Sequence, residues 1–310
     1  MGNNKKILIL CIAFILVGTS IMAGIVRYFT IDEPVFINNY FQYNVYLYSN
    51  KYYEDENEDV ELSEEEPLMY NLNEELSIEY ITNKDDSREV SYVVFTNAPE
   101  IMAHIDSWGY DWFDDMGNGT NVDQYGLYSK NTLNLNIQGS YEVIPETIDL
   151  SKAQICFNNG DSMDVDLGEI ILYCRNGEED REIINYGNSY QQGDYEIREL
   201  TLGKSIIVEE INIASAENLY DEFNLSINGY DYKKVDGLAF SAGKDLVLRY
   251  SSIDWEKNMN VLDKYNIDSM IHYRDAEGNK YTDVIGTIYY DNRDYSFCRI
   301  YEYLKQRGKL

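Results

Sequence analysis

Residues 153–174 read AQICFNNGDSMDVDLGEIILYC. Two short apolar-alternating runs, 153–157 and 163–167, flank Asn158-Asn159-Gly160-Asp161. Such a cluster of Asn, Gly and Asp favours a tight reversal, so the pair reads as a β-hairpin. A third run at 170–174 follows, and the whole stretch predicts a small antiparallel meander. The period is two, not 3.6, and this excludes an amphipathic helix here.

The same grammar extends in both directions. Upstream, strands are expected at 76–81, 90–96 and 132–137, with a turn at Asn83-Lys84-Asp85-Asp86. Downstream, strands are expected at 195–200, 205–213, 223–227, 230–235, 246–250, 267–273, 281–289 and 297–303. Asn228-Gly229 suits a two-residue hairpin turn, whose central residues both need positive φ. Glu277-Gly278-Asn279 marks another hairpin. Helices are expected to be few and short: one at 97–107 behind Asn97-Ala98-Pro99, one after Ser215, and one carrying Trp255, Met259 and Leu262. The expected fold is mainly β: two antiparallel β-sandwich domains, at 68–177 and 178–310. The Gly-rich, charged residues 176–193 form the expected boundary. The strand order resembles Ig-like modules in a general way, without a Cys–Trp–Cys signature.

Residues 7–26, ILILCIAFILVGTSIMAGIV, carry no charge and follow Lys5 and Lys6. Twenty helical residues span roughly 30 Å, the thickness of a bilayer's hydrocarbon core. Lys5 and Lys6 precede the run and Arg27 alone follows it, so residues 1–6 are expected in the cytoplasm and the rest outside. The helix is read as a signal-anchor. The alternative is a leader cleaved near Ala23, which exports the same body. Residues 27–67 are expected to form a juxtamembrane stretch that contributes a first strand from 36–48. Residues 54–66 hold nine acids in thirteen positions and read as a solvated loop or stalk.

The chain has 310 residues, 55 acidic and 25 basic, for a net charge of −30. This excludes nucleic acid as a partner, because phosphates must be neutralised by Lys and Arg. It favours cationic or neutral partners and admits divalent cations. Four cysteines, Cys11, Cys156, Cys174 and Cys298, make no disulfide framework. The 30 tyrosines suit half-exposed strand faces. The composition resembles that of surface proteins of low-GC Gram-positive bacteria.

Chemistry is sparse. The two histidines, His104 and His272, fall in different expected domains. Glu209 and Glu210 are neighbours on an expected strand and should face opposite sides. The residues singled out for ligand binding are Trp108, Tyr110, Asp111 and Trp112, an aromatic platform with an acid of the kind that stacks sugars. Asp114, Asp115, Asn118, Asn121 and Asp123 supply oxygens for an irregular calcium loop, though packing of the two indoles and ordinary turn chemistry are the favoured readings of the two sets. The basic residues 305–309 read as a frayed tail. The expectation is a non-enzymatic, membrane-anchored binding or assembly protein of the bacterial cell surface, with no obligatory cofactor and an unknown protein or cell-wall glycan as partner. The alternatives are a glycan-recognising or glycan-acting protein using residues 108–115, and a calcium-dependent adhesin.

Overall fold

The computed structural model describes residues 2–51, 67–105, 120–177, 184–192, 195–213, 225–251, 262–290 and 295–310. The acidic stretch 54–66, the segment 106–119 and the helices expected after Ser215 and around Trp255 lie outside the described residues, apart from Leu262.

The chain opens with helix α1 (Gly2–Phe29). Its exposed face is apolar along its length, from Leu10 to Val26. The polar exceptions satisfy themselves: Thr19 and Ser20 each donate to the Leu16 carbonyl, at 3.0 and 2.8 Å. Leu10–Phe29 is long and apolar enough to cross a membrane.

The first sandwich holds β1 (Val35–Phe36), β2 (Asn39–Ser49), β3 (Tyr70–Asn83), β4 (Val90–Phe95), β5 (Met102–Ile105) and β6 (Thr120–Tyr125). It continues with β7 (Tyr128–Tyr141), β8 (Thr147–Asp149), β9 (Lys152–Phe157), β10 (Ser162–Asp166) and β11 (Gly168–Asn176). One sheet runs β10-β9-β4-β5-β7-β3, and β8, β11 and β2 lie across from it. The core between them alternates as half-buried strands do: Leu72, Leu76, Ile78 and Tyr80 of β3 point in, towards Val45, Leu47, Ile170 and Leu172.

The second sandwich holds β12 (Ile184–Gln192), β13 (Tyr195–Leu202), β14 (Ile206–Ile213), β15 (Leu225–Ile227) and β16 (Tyr230–Asp231). Its remaining strands are β17 (Ala239–Phe240), β18 (Asp245–Ser251), β19 (Lys264–Asp275) and β20 (Lys280–Tyr290). The sheet β12-β13-β18-β15-β16 packs on β17, β14, β19 and β20 around Leu200, Leu246, Leu248, Ile267 and Ile271. Helix α2 (Phe297–Gln306) closes the chain.

The structure corrects several expectations. The meander of 153–174 is a hairpin only through β10. β11 leaves it, crosses to the opposite sheet and pairs in parallel with β2 from Gly168↔Asn39 to Asn176↔Leu47. Cys156 and Cys174 therefore sit in different sheets, both buried and both free. β2 also pairs in parallel with β19, Asn39–Gln42 against Lys264–Ile267, so one run of pairing passes from the first core to the second. Parallel pairs between distant segments leave no mark in local periodicity. The expected boundary 176–193 contains β12. The helix expected at 97–107 is a turn followed by β5, because the edge of β7 recruits Met102–Ile105. The strand expected at 230–235 is two residues of β16 and a short 3-10 turn, Tyr232–Lys234, capped by Asp231.

The C-terminal segment, expected as a strand with a frayed basic tail, is α2. Ser296 caps it by accepting from the Arg299 amide at 3.3 Å. Ile300, Tyr303 and Leu304 recur at helical spacing and are buried against Ile31, Val35, Ile37 and Tyr128. The tail is held: the Arg307 guanidinium bonds the Asn38 side-chain oxygen, and the Asn38 amide donates to the Tyr303 hydroxyl at 3.1 Å.

Candidate functional site

β2 is the joint between the two sandwiches, and its polar residues hold it there. The Asn44 amide donates to Asp268 at 2.9 Å, Thr287 donates to the same carboxylate at 2.8 Å, and Arg175 donates to the Asn44 side chain at 3.0 Å. Tyr40 and Tyr265 stack across the parallel pair with ring centroids 4.8 Å apart.

Beside this joint lies a cleft of about 600 Å³. Its floor is built by strand alternation. On β3, Leu76, Ile78 and Tyr80 fill the core, so Glu75, Ser77 and Glu79 take the outer face. Register places Glu79 opposite Thr132, with Ile81 opposite Lys130 on β7. Lys264 at the start of β19 and Tyr295 ahead of α2 then close over Glu79. Lys130 lies 3.1 Å from one carboxylate oxygen and Lys264 lies 3.0 Å from the other. The Tyr295 hydroxyl donates to the oxygen that Lys264 holds. Lys130 also reaches Asp123 at 3.3 Å and sits 4.5 Å above the Tyr295 ring. Side-chain exposure is 8% for Glu79, 11% for Lys130 and 10% for Lys264, so these charges have exchanged water for one another.

Burial by itself would push the Glu79 carboxyl up. Lys264, Tyr295 and Lys130 outweigh burial and hold it below the ordinary carboxylate value. For Lys130, burial would favour the neutral amine, but Glu79 and Asp123 outweigh it and raise its pKa. Phe41 and Tyr43 of β2, Tyr125 of β6, and Tyr289 and Tyr290 of β20 form the walls.

A second recess, about 490 Å³, lies on the outer face of β14, β19 and β20. Here the expectation for Glu209 and Glu210 fails. Pairing between β14 and β19 slips between Val208 and Glu210, a β-bulge, and both glutamates line the recess. Lys280 is 3.1 Å from Glu209. His272 shares the recess, bonded through Nδ1 to the Thr282 hydroxyl at 2.9 Å, and burial lowers its pKa. His104 lies on β5 in the first sandwich, so the structure does not bring the two histidines together.

Trp108, Tyr110, Asp111, Trp112, Asp114, Asp115 and Asn118 lie outside the described residues. The described residues on either side of that segment pair on one edge of β7, Ile105 with Leu135 and Thr120 with Leu133. Asn121 is on β6, and Asp123 spends its carboxylate on Lys130. Among the described residues, no group of three or more His, Cys, Asp or Glu side chains is arranged to hold a metal ion. Sequence reading missed the cleft because its members are scattered from Phe41 to Tyr295. The local signal was Glu79 itself, set between Ile78 and Tyr80 with Ile81 beyond.

No family model and no curated protein matches the chain. Among solved structures it is similar to the D00-D0 domain of intimin, with 6% identity, 71% of this chain and 92% of that one covered, and a TM-score of 0.20. A Porphyromonas gingivalis W83 protein of unknown function aligns with 9% identity, coverage of 78% and 95%, and a TM-score of 0.23. The collagen binding domain of the Erysipelothrix rhusiopathiae surface protein RspB aligns with 12% identity, coverage of 73% and 88%, and a TM-score of 0.16. These superpositions are too loose to carry an argument, and the sandwich fold rests on the strand pairing itself.

Proposed function

We propose that this chain is a membrane-anchored, extracytoplasmic binding protein of the bacterial cell surface, which presents the cleft beside β2 to a partner without catalysing a reaction. The observation that carries this reading is the direct docking of α1 onto the body. Phe29 packs edge-on against Phe297 and Tyr301, with centroids 5.5 and 5.3 Å apart. Its carbonyl accepts from the Tyr128 hydroxyl at 2.8 Å. Asn83 forks onto Ile31, accepting from its amide at 3.0 Å and donating to its carbonyl at 2.6 Å. An exposed apolar helix is stable in lipid and costly in water. Here it runs through Ala23 without a break to Phe29 and joins a body that grips its end, an arrangement suited to holding that body against a bilayer.

The charges in the cleft support binding over catalysis. A general acid or base works best with a pKa near the working pH. Glu79 is shifted down and Lys130 up, so both remain ionised and paired at neutral pH.

Cys298 tests the placement. It is exposed, as is Cys11, but Cys11 lies in the apolar run of α1, within lipid on this reading; Cys156 and Cys174 are buried, and burial raises the Cys174 thiol to about 12. A membrane-impermeant maleimide added to intact cells, with the outer face of the cytoplasmic membrane accessible, is expected to label the chain once. Cys298→Ala is expected to abolish that label. Labelling only after permeabilisation would place the body in the cytoplasm and overturn the reading. The mass of the mature chain separates retention from cleavage: a free amino terminus at Gly24 would make the protein secreted.

A further inference from the structure

We infer that the crevice between the last turns of α1 and the turn joining β3 to β4 seats the headgroup of a zwitterionic phospholipid, its phosphate on Lys84 and its primary ammonium on Asp85. This goes beyond the surface-binding role and rests on its premise that α1 is retained in the bilayer.

Position comes first. The apolar span Leu10–Phe29 ends at the body. Val26, still 46% exposed, and Phe29 line one side of a crevice of about 420 Å³, with Leu127 from the turn between β6 and β7. Residues 83–86 and Arg88 line the other side. With α1 across the membrane, the Val26 side continues the lipid-facing surface of the span. The charged turn opposite then lies at the level of the headgroups.

Chemistry comes second. Most of the polar lining is already spent. Asn83 is forked onto Ile31, and Thr30 donates to the Val26 carbonyl at 2.8 Å. Arg88 is forked onto Asp86, with Nε at 3.0 Å and Nη2 at 2.7 Å. Lys84 and Asp85 remain. Both are exposed, and among the described residues neither side chain has a partner. The Lys84 main-chain amide donates to the Leu127 carbonyl at 2.8 Å, which holds the turn beside the apolar side of the crevice. One cation next to one anion complements a headgroup that carries both charges. The ammonium of Lys84 donates to phosphate oxygens, and the carboxylate of Asp85 accepts from a primary ammonium.

The surroundings select among headgroups. The chain carries a net charge of −30, and Glu33 and Asp161 act on Arg88 from outside the lining. A headgroup with net negative charge is repelled by that field, whereas a zwitterion is not. The apolar side selects a lipid over a free phosphate ester, which has no chains to bury there.

The test is native mass spectrometry of the full chain in detergent, mixed with dioleoyl-phosphatidylethanolamine, with dioleoyl-phosphatidylglycerol, or with both in equal amounts. The acyl chains are the same, so only the headgroup differs. One ethanolamine lipid per chain is expected to survive removal of the detergent and to exclude the glycerol lipid from the mixture. Lys84→Ala is expected to weaken its retention about tenfold, and Asp85→Asn to abolish the preference between the two lipids. Both side chains are exposed, and circular dichroism verifies the fold of each variant. Glycerophosphoethanolamine, the headgroup without acyl chains, is expected not to displace the lipid at equal concentration. Retention that neither substitution alters would be lipid held by α1 alone and would overturn the site. So would equal retention of the glycerol lipid, or displacement by the headgroup alone. The same spectrum gives the mass of the chain. A chain beginning at Gly24 sinks the anchored reading and the site with it, whereas an intact chain that holds no lipid sinks only the site.

Discussion

Glu79→Leu is expected to lower the unfolding free energy by about 3–5 kcal/mol, measured by chemical denaturation of the detergent-solubilised chain. The carboxylate is buried between Lys130 and Lys264, and removing it takes from both ammonium groups the charge they face, in a site that has excluded most of its water, although Lys130 keeps Asp123. The cost arises from that lost compensation, not from loss of a favourable bond, because a buried ion cluster as a whole contributes little net stability. Adding Lys130→Met and Lys264→Met to Glu79→Leu is therefore expected to recover most of the loss. A single-variant loss below about 1 kcal/mol would show the floor to be hydrated and would contradict the burial described above.

The same residue sets a pH dependence with a defined sign. The Glu79 carboxyl is depressed in the folded chain from an ordinary value of 4.5. Its stabilisation is complete above that value and is lost as pH falls through the depressed one. The parent is expected to lose stability on acidification below pH 4.5 more steeply than Glu79→Gln, whose side chain does not titrate. Parallel acid curves for the two chains would contradict this.

Gly168→Ala has the second large effect, about 3 kcal/mol. Gly168 has φ +98° where β11 leaves the hairpin and meets β2. A Cβ there would lie 2.4 Å from the Asn39 carbonyl oxygen and 2.7 Å from its nitrogen. Both are backbone atoms at the start of β2, and the Asn39 amide is itself bonded to Leu167 at 2.7 Å, so neither can yield. Gly160→Ala is the control. Its φ is +90° but a Cβ meets nothing within 4 Å, so only conformational strain, about 1 kcal/mol, applies. Equal losses at the two positions would show that the approach to Asn39 is not the cause.

The strands that the sequence made legible are those whose alternation is local. The run 153–167 became β9 and β10 almost residue for residue, and Asn228-Gly229 became a turn with Asn228 at φ 48° and Gly229 at φ 84°. The chain ends in a helix where a strand is expected because Tyr and Ile suit strands as well as helices, and the helix is marked only by its cap, Ser296, and by the spacing of Ile300, Tyr303 and Leu304. Glu209 and Glu210 were misread because a bulge adds one residue to one strand without changing its composition. Glu79 was overlooked because period-two alternation assigns it to an outer face, and an outer face is ordinarily wet.

Chain-local information was enough for the β class, for the turn positions and for a helix of bilayer length, because each is read from one continuous run of no more than about twenty residues. Only the tertiary structure decided that β2 joins two cores, that α2 packs beneath them, and that Glu79 lies buried between lysines from different sandwiches. The physical reason is that strand pairing and burial are relations between distant segments. A side chain's period sets which face it takes, but what comes to cover that face is chosen by the rest of the fold.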